Sequence, residues 1–534
     1  MKTAKQLLLE LTAVKSVSET TGENAVAAKI LDLVREDPYF TSHPDHCGAW
    51  DGGDRLGRPV IWALKKGKGS KTLAFSGHYD TVDTAAYGAF EPLALQPDAL
   101  RAAMLKNPPD DKGIREDLAD DRWLFGRGCA DMKAGIALNL DALYGYQPGE
   151  VSVLFTAVSD EENLSAGARQ AVGLYKELTR RFGLDYTLAV VSEPVDRDVA
   201  APFPFIHGSA GKILPVAVAK GIPAHGANML RGLNSAHLIA GLIEATEYDT
   251  AFVSKGGEMF TEPPAVQLVR DLKIGYDVSL PEYTACAFNV TFFSETDPVA
   301  LLDRLVDNCA ASARALTEKY DKCFDAMTTA GQISSEYRRK YDIRALTLEQ
   351  LEQELKKKPG FSSFQEDARA RSQTLVEGGE TMQWATICYI RDMMAWSGIT
   401  QPFMVVGIAP PYYPAVHTDF LNKATRPVVT DAINALAAEG ICAVREEYSR
   451  FMLDLSYMCC INLESARRVM ENIPLPRSLY DMDIDAMAAL EIPTLVIGPA
   501  YKEIHQIGER VWLPDIEQDL PKVFRQLIKS IENK

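Results

Sequence analysis

The sequence lacks the features that mark several broad classes of protein. Only nine of its 534 residues are cysteines, and no two of them form a CxxC pair, so neither a disulfide framework nor a thiolate zinc site is indicated. No apolar run approaches the ~20 residues that a membrane-spanning helix requires. No basic stripe accompanies the formal net charge of −17, which argues against a nucleic-acid partner.

The amino terminus also lacks the pattern of a signal peptide. Glu10 interrupts the apolar run at 7–11, and no small-residue cleavage site follows. Together with the scattered cysteines, this predicts a reduced, cytoplasmic protein. Hydrophobic residues make up 47% of the chain and charged residues 24%, which are the proportions of an ordinary globular protein.

The length predicts more than one domain, since single cores rarely grow beyond ~250–300 residues. In the first part of the chain, strand-like apolar runs alternate with helical stretches. The runs lie at 60–64, 73–75, 151–155 and 188–191. This alternation predicts an α/β domain with a mostly parallel sheet.

The character of the sequence changes near residue 212. Two strand-like and two helical runs follow, which predict an inserted α+β domain that ends near residue 325. The stretch at 325–375 is charged and helical, and we interpret it as a solvated connection. The α/β pattern then returns, with strands at 403–408 and 494–497. The predicted division is 1–211, 212–325 and 326–534.

Acidic and histidine residues gather just after the predicted strands, or in a glycine-rich turn that opens a helix. They are His78, Asp80, Asp131, Glu161, Glu162, Glu193 and His505. Because parallel strands end at one edge of a sheet, side chains that are remote in sequence can meet there. Imidazoles with carboxylates favour Zn²⁺, and two ions can share a bridging carboxylate. Taken singly, Asp131 is equally typical of a helix N-cap and the paired glutamates of a solvated turn.

Four ordered segments carry a family resemblance. They are GHYDTVD at 77–83, GRGCADMK at 126–133, DEE at 160–162 and SEP at 192–194. In this order and spacing they resemble the co-catalytic zinc aminoacylases and carboxypeptidases of peptidase family M20. That family includes aminoacylase, glutamate carboxypeptidase, succinyl-diaminopimelate desuccinylase and tripeptidase T. The extra length, PPYYP at 410–414 and DLSY at 454–457 are similar to the family's branch of arginine-utilisation proteins.

The resemblance implies two Zn²⁺ ions per subunit, with Co²⁺ or Mn²⁺ as replacements. Carried over residue by residue, the implied ligands are His78, Asp131, Glu162, Glu193 and His505. Asp131 would bridge the two ions, with His78 and Glu193 on the first and Glu162 and His505 on the second. His417 also follows a strand-like run and remains the alternative to His505 as last ligand.

The resemblance also implies two catalytic residues near these ligands. Glu161 would be the general base that takes a proton from the attacking water and later protonates the leaving amine. Asp80 would accept the second ring N–H of His78 and so select its tautomer. A cis peptide bond between Asp131 and Met132 is implied as well.

The insertion is similar to the family's lid domain, which typically pairs two subunits. The similarity lies in GIPAHG at 221–226 and GLNSA at 232–236. It implies that His225 stabilises the reaction's oxyanion in the partner's active site and that Asn234 assists substrate binding. The divided α/β part would then be the zinc-hydrolase catalytic domain, and the protein a homodimer through its lid. Many members have small hydroxyl residues and a proline where this chain has GAN at 226–228.

These expectations converge on a metal-dependent hydrolase that cleaves an amide bond. The expected substrate is small and carries a carboxylate: an N-acyl amino acid or an arginine-related amide, with a place in arginine catabolism. The motifs leave a dipeptidase or other exopeptidase as an alternative. A protein that binds metal and ligand without hydrolysis is the alternative of another class, and the presence of Glu161 argues against it.

Overall fold

A computed structural model of the protein describes residues 1–423 and 425–534. The chain forms two units, each assembled from separate segments. The first unit contains Met1–Ser209, Val416–Ile461 and Asp483–Lys534, and the second contains Ala210–Ala415 and Asn462–Met482. Every helix among the described residues is too short or too polar to span a bilayer.

The helices are numbered along the chain. They are α1 (Ala4–Thr12), α2 (Gly22–Arg35), α3 (Pro38–Ser42), α4 (Pro97–Lys106), α5 (Lys112–Leu118), α6 (Lys133–Gly145), α7 (Ala166–Phe182), α8 (Ser235–Thr246), α9 (Pro298–Thr329), α10 (Leu348–Leu355), α11 (Phe361–Glu377), α12 (Met382–Trp396), α13 (Arg426–Ala438), α14 (Leu463–Glu471), α15 (Ile484–Leu490) and α16 (Leu520–Glu532). Local sequence explains several starts: Thr3 and Gln6 form a capping box at α1, and the Asp297 side chain caps α9 ahead of a proline.

The strands are numbered in the same way. They are β1 (Cys47–Trp50), β2 (Val60–Lys65), β3 (Lys71–His78), β4 (Trp123–Phe125), β5 (Ser152–Val158), β6 (Asp185–Val191), β7 (Phe203–Ile206), β8 (Gly208–Ser209), β9 (Gly211–Lys220), β10 (Lys255–Gly256), β11 (Met259–Phe260), β12 (Ala265–Asp271), β13 (Tyr283–Phe292), β14 (Arg344–Thr347), β15 (Phe403–Tyr413), β16 (Val416–His417), β17 (Ala443–Glu446), β18 (Thr494–Val496), β19 (Tyr501–Lys502) and β20 (Arg510–Trp512).

The first unit is built on an eight-stranded sheet with the order β1-β2-β5-β3-β6-β18-β7-β17. Its centre is parallel, since β3 pairs in parallel with both β5 and β6, and β6 with β18. Successive residues of the central strands face two different cores: Phe75 packs with α6 and α16, and Ala74 packs with α7. Burial of both faces explains the continuous apolar runs of these strands. The predicted α/β class with a mostly parallel sheet is confirmed.

The central strands end level with one another. His78, the last residue of β3, pairs with Val158, the last residue of β5. Two residues earlier in β3, Ser76 pairs with Val191 at the end of β6. The polar residues that follow these strands therefore emerge along one edge of the sheet.

The second unit contains a five-stranded sheet with the order β12-β13-β9-β15-β14. All its pairs are antiparallel except β14 with β15. Val216 and Val218 of β9 pack with α10, α11 and α12. Helix α8 packs against α9 and lies beside β9 and β13. This is the predicted α+β insertion, but it is larger than the sequence indicated.

The predicted end of the insertion near residue 325 differs from the division in the structure. Residues 326–415 belong to the second unit, because β14 and β15 extend its sheet. The stretch interpreted as a solvated connection instead buries Leu348, Leu351 and Leu355 in that unit's core. The pattern of apolar residues predicted the strand at 403–408 but did not indicate which strand it pairs with.

Candidate metal centre

Five elements of the first unit bring the predicted ligands together. His78 ends β3, and Glu193 follows β6 by two residues. Glu162 lies in the turn between β5 and α7, and His505 in the loop between β19 and β20. Asp131 lies two residues before α6, and its peptide bond to Met132 is cis.

The ligand atoms form two groups that share Asp131. In the first group, His78 Nε2 lies 3.0 Å from Asp131 Oδ1 and 3.6 Å from Glu193 Oε1. In the second, His505 Nε2 lies 3.2 Å from Asp131 Oδ2 and 3.0 Å from Glu162 Oε1. Within each group the ligand atoms all lie within 4.8 Å of one another. Asp131 therefore presents one carboxylate oxygen to each group.

The chemistry of this donor set fits a pair of divalent cations. Imidazole nitrogens and carboxylate oxygens are the donors that Zn²⁺ and related ions accept. Glu193 Oε1 is buried and has no hydrogen-bond partner among the described residues. A buried carboxylate oxygen without a donor is costly unless a cation balances it.

Crowded negative charge raises the pKa values of the two histidines. Hydrogen bonds to Asp131 and Glu162 raise the pKa of His505 to about 10. Burial alone would lower the pKa of His78, but the charge of Glu193 and the contacts with Asp131 and Asp80 raise it well above its ordinary value. The carboxylates therefore favour a positive charge between them, on the imidazole rings or on a bound cation.

Glu161 lies beside this pair of groups without joining either. Its Oε2 atom lies 4.0 Å from His78 Nε2, and its side chain is 12% exposed. Burial, and then the nearby charges of Glu193 and Asp454, raise the pKa of Glu161 well above its ordinary value. A carboxylate with raised proton affinity at this position is suited to accept a proton from water.

Asp80 holds the turn that carries Glu161 and Glu162. Its Oδ1 atom accepts the Glu161 N–H at 3.1 Å, and its Oδ2 atom accepts the Glu162 N–H at 3.2 Å and the Ser18 hydroxyl at 2.6 Å. The nearest acceptor to His78 Nδ1 is the Asp80 carbonyl oxygen at 3.1 Å, with the carboxylate at 3.5 Å. Asp80 therefore orients His78 mainly through its backbone and positions the glutamates through its side chain.

A buried ion pair fixes the loop that carries Asp131. Arg127 is paired with Glu509, and both side chains are buried. Glu509 also accepts the Ala130 N–H through Oε1 at 3.4 Å, and its carbonyl oxygen accepts the Gly126 N–H at 3.1 Å. Glu509 thus joins the Asp131 loop to the strand after His505.

His417, the alternative last ligand, lies in a different cluster. Its Nε2 atom lies 3.1 Å from Glu447 Oε2, and Asp419 lies nearby. Arg445 already pairs with both carboxylates, at 2.6 Å from Asp419 and 3.0 Å from Glu447. The structure therefore places His505, and not His417, against Asp131 and Glu162.

His225 and Asn234 belong to the second unit. His225 is exposed, and its Nδ1 atom accepts the Ala227 N–H at 3.2 Å. In the neutral imidazole that bond leaves the proton on Nε2, which is then a donor. Asn234 is half-buried and caps α8, because its Oδ1 atom accepts the Ala236 N–H at 2.9 Å.

Sequence reasoning missed two buried features beside the centre. Arg58 forms ion pairs with Asp54, Glu23 and Asp160, yet in the sequence it ends a glycine-rich loop that is typical of a surface turn. Asp454 is 1% exposed, and neither carboxylate oxygen has a donor in hydrogen-bonding geometry among the described residues. Burial raises the pKa of Asp454 to about 7. The only signal for it was the DLSY segment at 454–457.

Comparisons with known proteins agree with this geometry. The profile described as Peptidase family M20/M25/M40 matches residues 74–348. Uncharacterized protein YqjN of Bacillus subtilis is 29% identical over 98% of this chain and 95% of its own length. Protein RocB of the same organism is 24% identical over 97% of this chain and 93% of its own length. The crystal structure of aminopeptidase PepT from Bacillus cereus aligns with a TM-score of 0.52 at 12% identity, covering 99% and 98% of the two chains, and this likeness concerns the fold alone.

Proposed function

The chain belongs to peptidase family M20/M25/M40, which makes it a metal-dependent hydrolase, and on this premise we propose that it cleaves an amide bond with two Zn²⁺ ions. The expected substrate is a small molecule that carries a carboxylate, such as an N-acyl amino acid. One observation carries the proposal: Asp131 presents its two oxygens to two separate ligand groups, 3.0 Å from His78 and 3.2 Å from His505.

The proposed holders of the ions are the residues of these two groups. His78 and Glu193 would hold the first ion, Glu162 and His505 the second, and Asp131 would contribute to both sites. When bound, such ions polarise the scissile carbonyl and acidify the attacking water. Co²⁺ and Mn²⁺ accept the same donors and are expected to replace Zn²⁺.

Glu161 is the proposed general base. It takes a proton from the attacking water on its carboxylate and returns the proton to the nitrogen of the leaving amine. Its separation of 4.0 Å from His78 Nε2 places it beside the ligands without using it as one. Asp80 assists by holding the Glu161 N–H, which limits the motion of the base.

His225 is the proposed donor to the oxyanion that forms on the carbonyl oxygen. Its Nδ1 atom is engaged by the Ala227 N–H, so the neutral ring offers Nε2–H for this task. We propose that this histidine acts in the active site of a partner subunit in a homodimer joined through the second unit. The Asn234 side-chain amide is proposed to bind the substrate.

The finer substrate assignment is an arginine-related amide. It rests on the resemblance of the segments at 410–414 and 454–457 to the arginine-utilisation branch, and the match to RocB along nearly the whole chain supports it. The acyl group and the amino acid are to be identified with the substrate panel described next. The cytoplasmic location also remains a prediction, to be tested by cell fractionation.

A substrate panel tests the proposal. Purified protein, stripped with chelator and reloaded with Zn²⁺, Co²⁺ or Mn²⁺, is assayed against N-acyl amino acids, including N-acyl arginines, and against dipeptides. We expect turnover of N-acyl amino acids and two ions per chain by elemental analysis. Faster turnover of dipeptides would replace the deacylase with an exopeptidase. Two bound ions without turnover of any amide would support a non-hydrolytic binding protein.

A further inference from the structure

We propose that Arg58 is a positioning residue for the general base: it holds the turn at 160–166 and thereby sets where the Glu161 carboxylate lies. This inference rests on the proposed function, because it assigns a task relative to the base of that reaction. Arg58 lies in the segment between β1 and β2, outside the motifs that indicated the metal centre.

The Arg58 guanidinium donates hydrogen bonds to three carboxylates inside the protein. Its side chain is 2% exposed. It donates to Asp54 from Nε at 2.8 Å and from Nη2 at 2.9 Å, to Glu23 from Nη1 at 2.8 Å, and to Asp160 from Nη1 at 2.7 Å. A planar fork with several fixed donors can serve three carboxylates at once, whereas a lysine ammonium cannot reproduce that geometry.

Asp160 connects Arg58 to the backbone of the turn. Its φ of +67° lies in the left-handed region, which is unfavourable for a residue with a side chain. Its carbonyl oxygen accepts the N–H groups of Leu164 at 3.2 Å and Ser165 at 2.6 Å, and its Oδ2 atom accepts the Ala166 N–H at 3.3 Å. Asp160, the residue that precedes Glu161, therefore binds the backbone of the turn at several positions.

Glu23 secures the same residue from a second direction. Its Oε1 atom accepts the Asp160 N–H at 3.1 Å, while its Oε2 atom accepts from Arg58. The side chain of Glu23 is fully buried, and burial together with the charge of Asp80 raises its pKa to about 8. Without the guanidinium, this pocket would hold buried carboxylates with no opposite charge, which is strongly unfavourable.

The turn is thus held at two points. Asp80 accepts the Glu161 and Glu162 N–H groups on one side, and Arg58 holds Asp160 on the other. Loss of the Arg58 contact leaves the ligand Glu162 tethered by His505 but removes the restraint on the side chain of Asp160, the residue that precedes the base. A displacement of about 1 Å at such a group is enough to cost about 10²-fold in rate.

The test compares Arg58→Lys with Arg55→Gln. Arg55 lies in the same loop but pairs on the surface with Glu19, with half of its side chain exposed. With the metal-loaded protein and the best substrate of the panel, Arg58→Lys should lower kcat by about 10²-fold and leave KM within about twofold. It should keep two metal ions per chain and speed amide hydrogen exchange at 160–166. Arg55→Gln should match the wild type in all four measurements.

Three results would overturn the proposal. Arg58→Lys with wild-type kcat would remove the positioning role, and so would equal losses of metal and of kcat. If Arg58→Lys does not fold, Asp160→Asn is measured instead, because it keeps the guanidinium but weakens its contact with the turn. Unchanged kcat in Asp160→Asn would contradict the proposal. A wild-type protein that turns over no amide would instead overturn the proposed function, and this inference with it.

Discussion

His505 Nε2 lies 3.0 Å from Glu162 Oε1, although the two residues are 343 positions apart in the chain. The same nitrogen lies 3.2 Å from Asp131 Oδ2. The contact places the last predicted ligand against the second half of the candidate metal centre.

Replacing His505 should remove one metal ion. Because His505 is the only histidine in the group with Asp131 and Glu162, His505→Ala should bind about one ion per chain instead of two. His417→Ala is the matched control and should retain both, since His417 lies in the cluster with Asp419 and Glu447. Elemental analysis after gel filtration measures the stoichiometry. The reverse pattern would assign the ligand role to His417.

Replacing Glu161 should abolish turnover without loss of metal. Glu161→Gln keeps the size of the side chain but removes its capacity to take a proton, so kcat should fall by ~10²–10⁴-fold. Glu177→Gln, on the surface of α7, is the control and should leave kcat unchanged. Steady-state kinetics and metal analysis are run on the same samples. Loss of an ion from Glu161→Gln would mean that Glu161 and Glu162 have exchanged roles.

Replacing His225 should affect the rate far more than the metal content. His225→Ala removes a donor to the developing oxyanion, so kcat should fall by ~10²–10³-fold with two ions still bound. His237→Ala, on α8 of the same unit, should behave like the wild type.

Mixing tests the partner-subunit arrangement directly. Subunits of His225→Ala and Glu161→Gln, denatured and refolded together, should recover about a quarter of wild-type activity, since about half of the dimers are mixed and each has one intact site. Recovery of no activity would mean that His225 does not act across a subunit boundary.

Metal binding should release protons. The pKa of His505 is raised to about 10, so its ring carries a proton at pH 7.5, whereas a bound metal needs the neutral ring. Calorimetric titration with Zn²⁺ in buffers of different ionisation enthalpy should show proton release on binding, and about one proton fewer for His505→Gln. Heats that do not depend on the buffer would contradict this.

The same shift sets the pH dependence of the metal-free protein. Because the folded pKa of His505 is raised, its stabilising contribution is complete below the unfolded value of ~6.5 and is lost as pH rises toward about 10. The melting temperature of chelator-treated protein should therefore fall over this interval. The fall should be smaller for His505→Gln.

Local patterns predicted the parts of the fold whose signal is local. The central strands β3, β5 and β6 are buried on both faces, so each is a continuous apolar run that ends at a polar residue. That placement also located His78, Glu161 and Glu193. The second helical run predicted after residue 212 is observed as α9, Pro298–Thr329.

Features that depend on long-range pairing were not predicted. Nothing in the sequence of β15 indicates that it pairs with β9 rather than with a strand of the first unit. The contact between Arg127 and Glu509 joins residues 382 positions apart, and neither residue has a local pattern that identifies its partner. Arg58 was missed for the same reason, since its role depends on Asp160, 102 positions later.

The first unit is composed of three chain segments and the second of two, which bears on how the protein is made. Helix α14 lies in the segment 462–482 but packs against α9, and the Asn472 carbonyl oxygen accepts the Ile408 N–H at 2.9 Å. On the ribosome, the second unit is therefore incomplete until residue 482 has emerged. The first unit is completed later still, because Phe524 of α16 packs on Phe75 of β3, with ring centroids 4.8 Å apart. Late in synthesis, nascent chains of this protein therefore contain two incompletely folded cores. This is the stage at which they are most prone to aggregation.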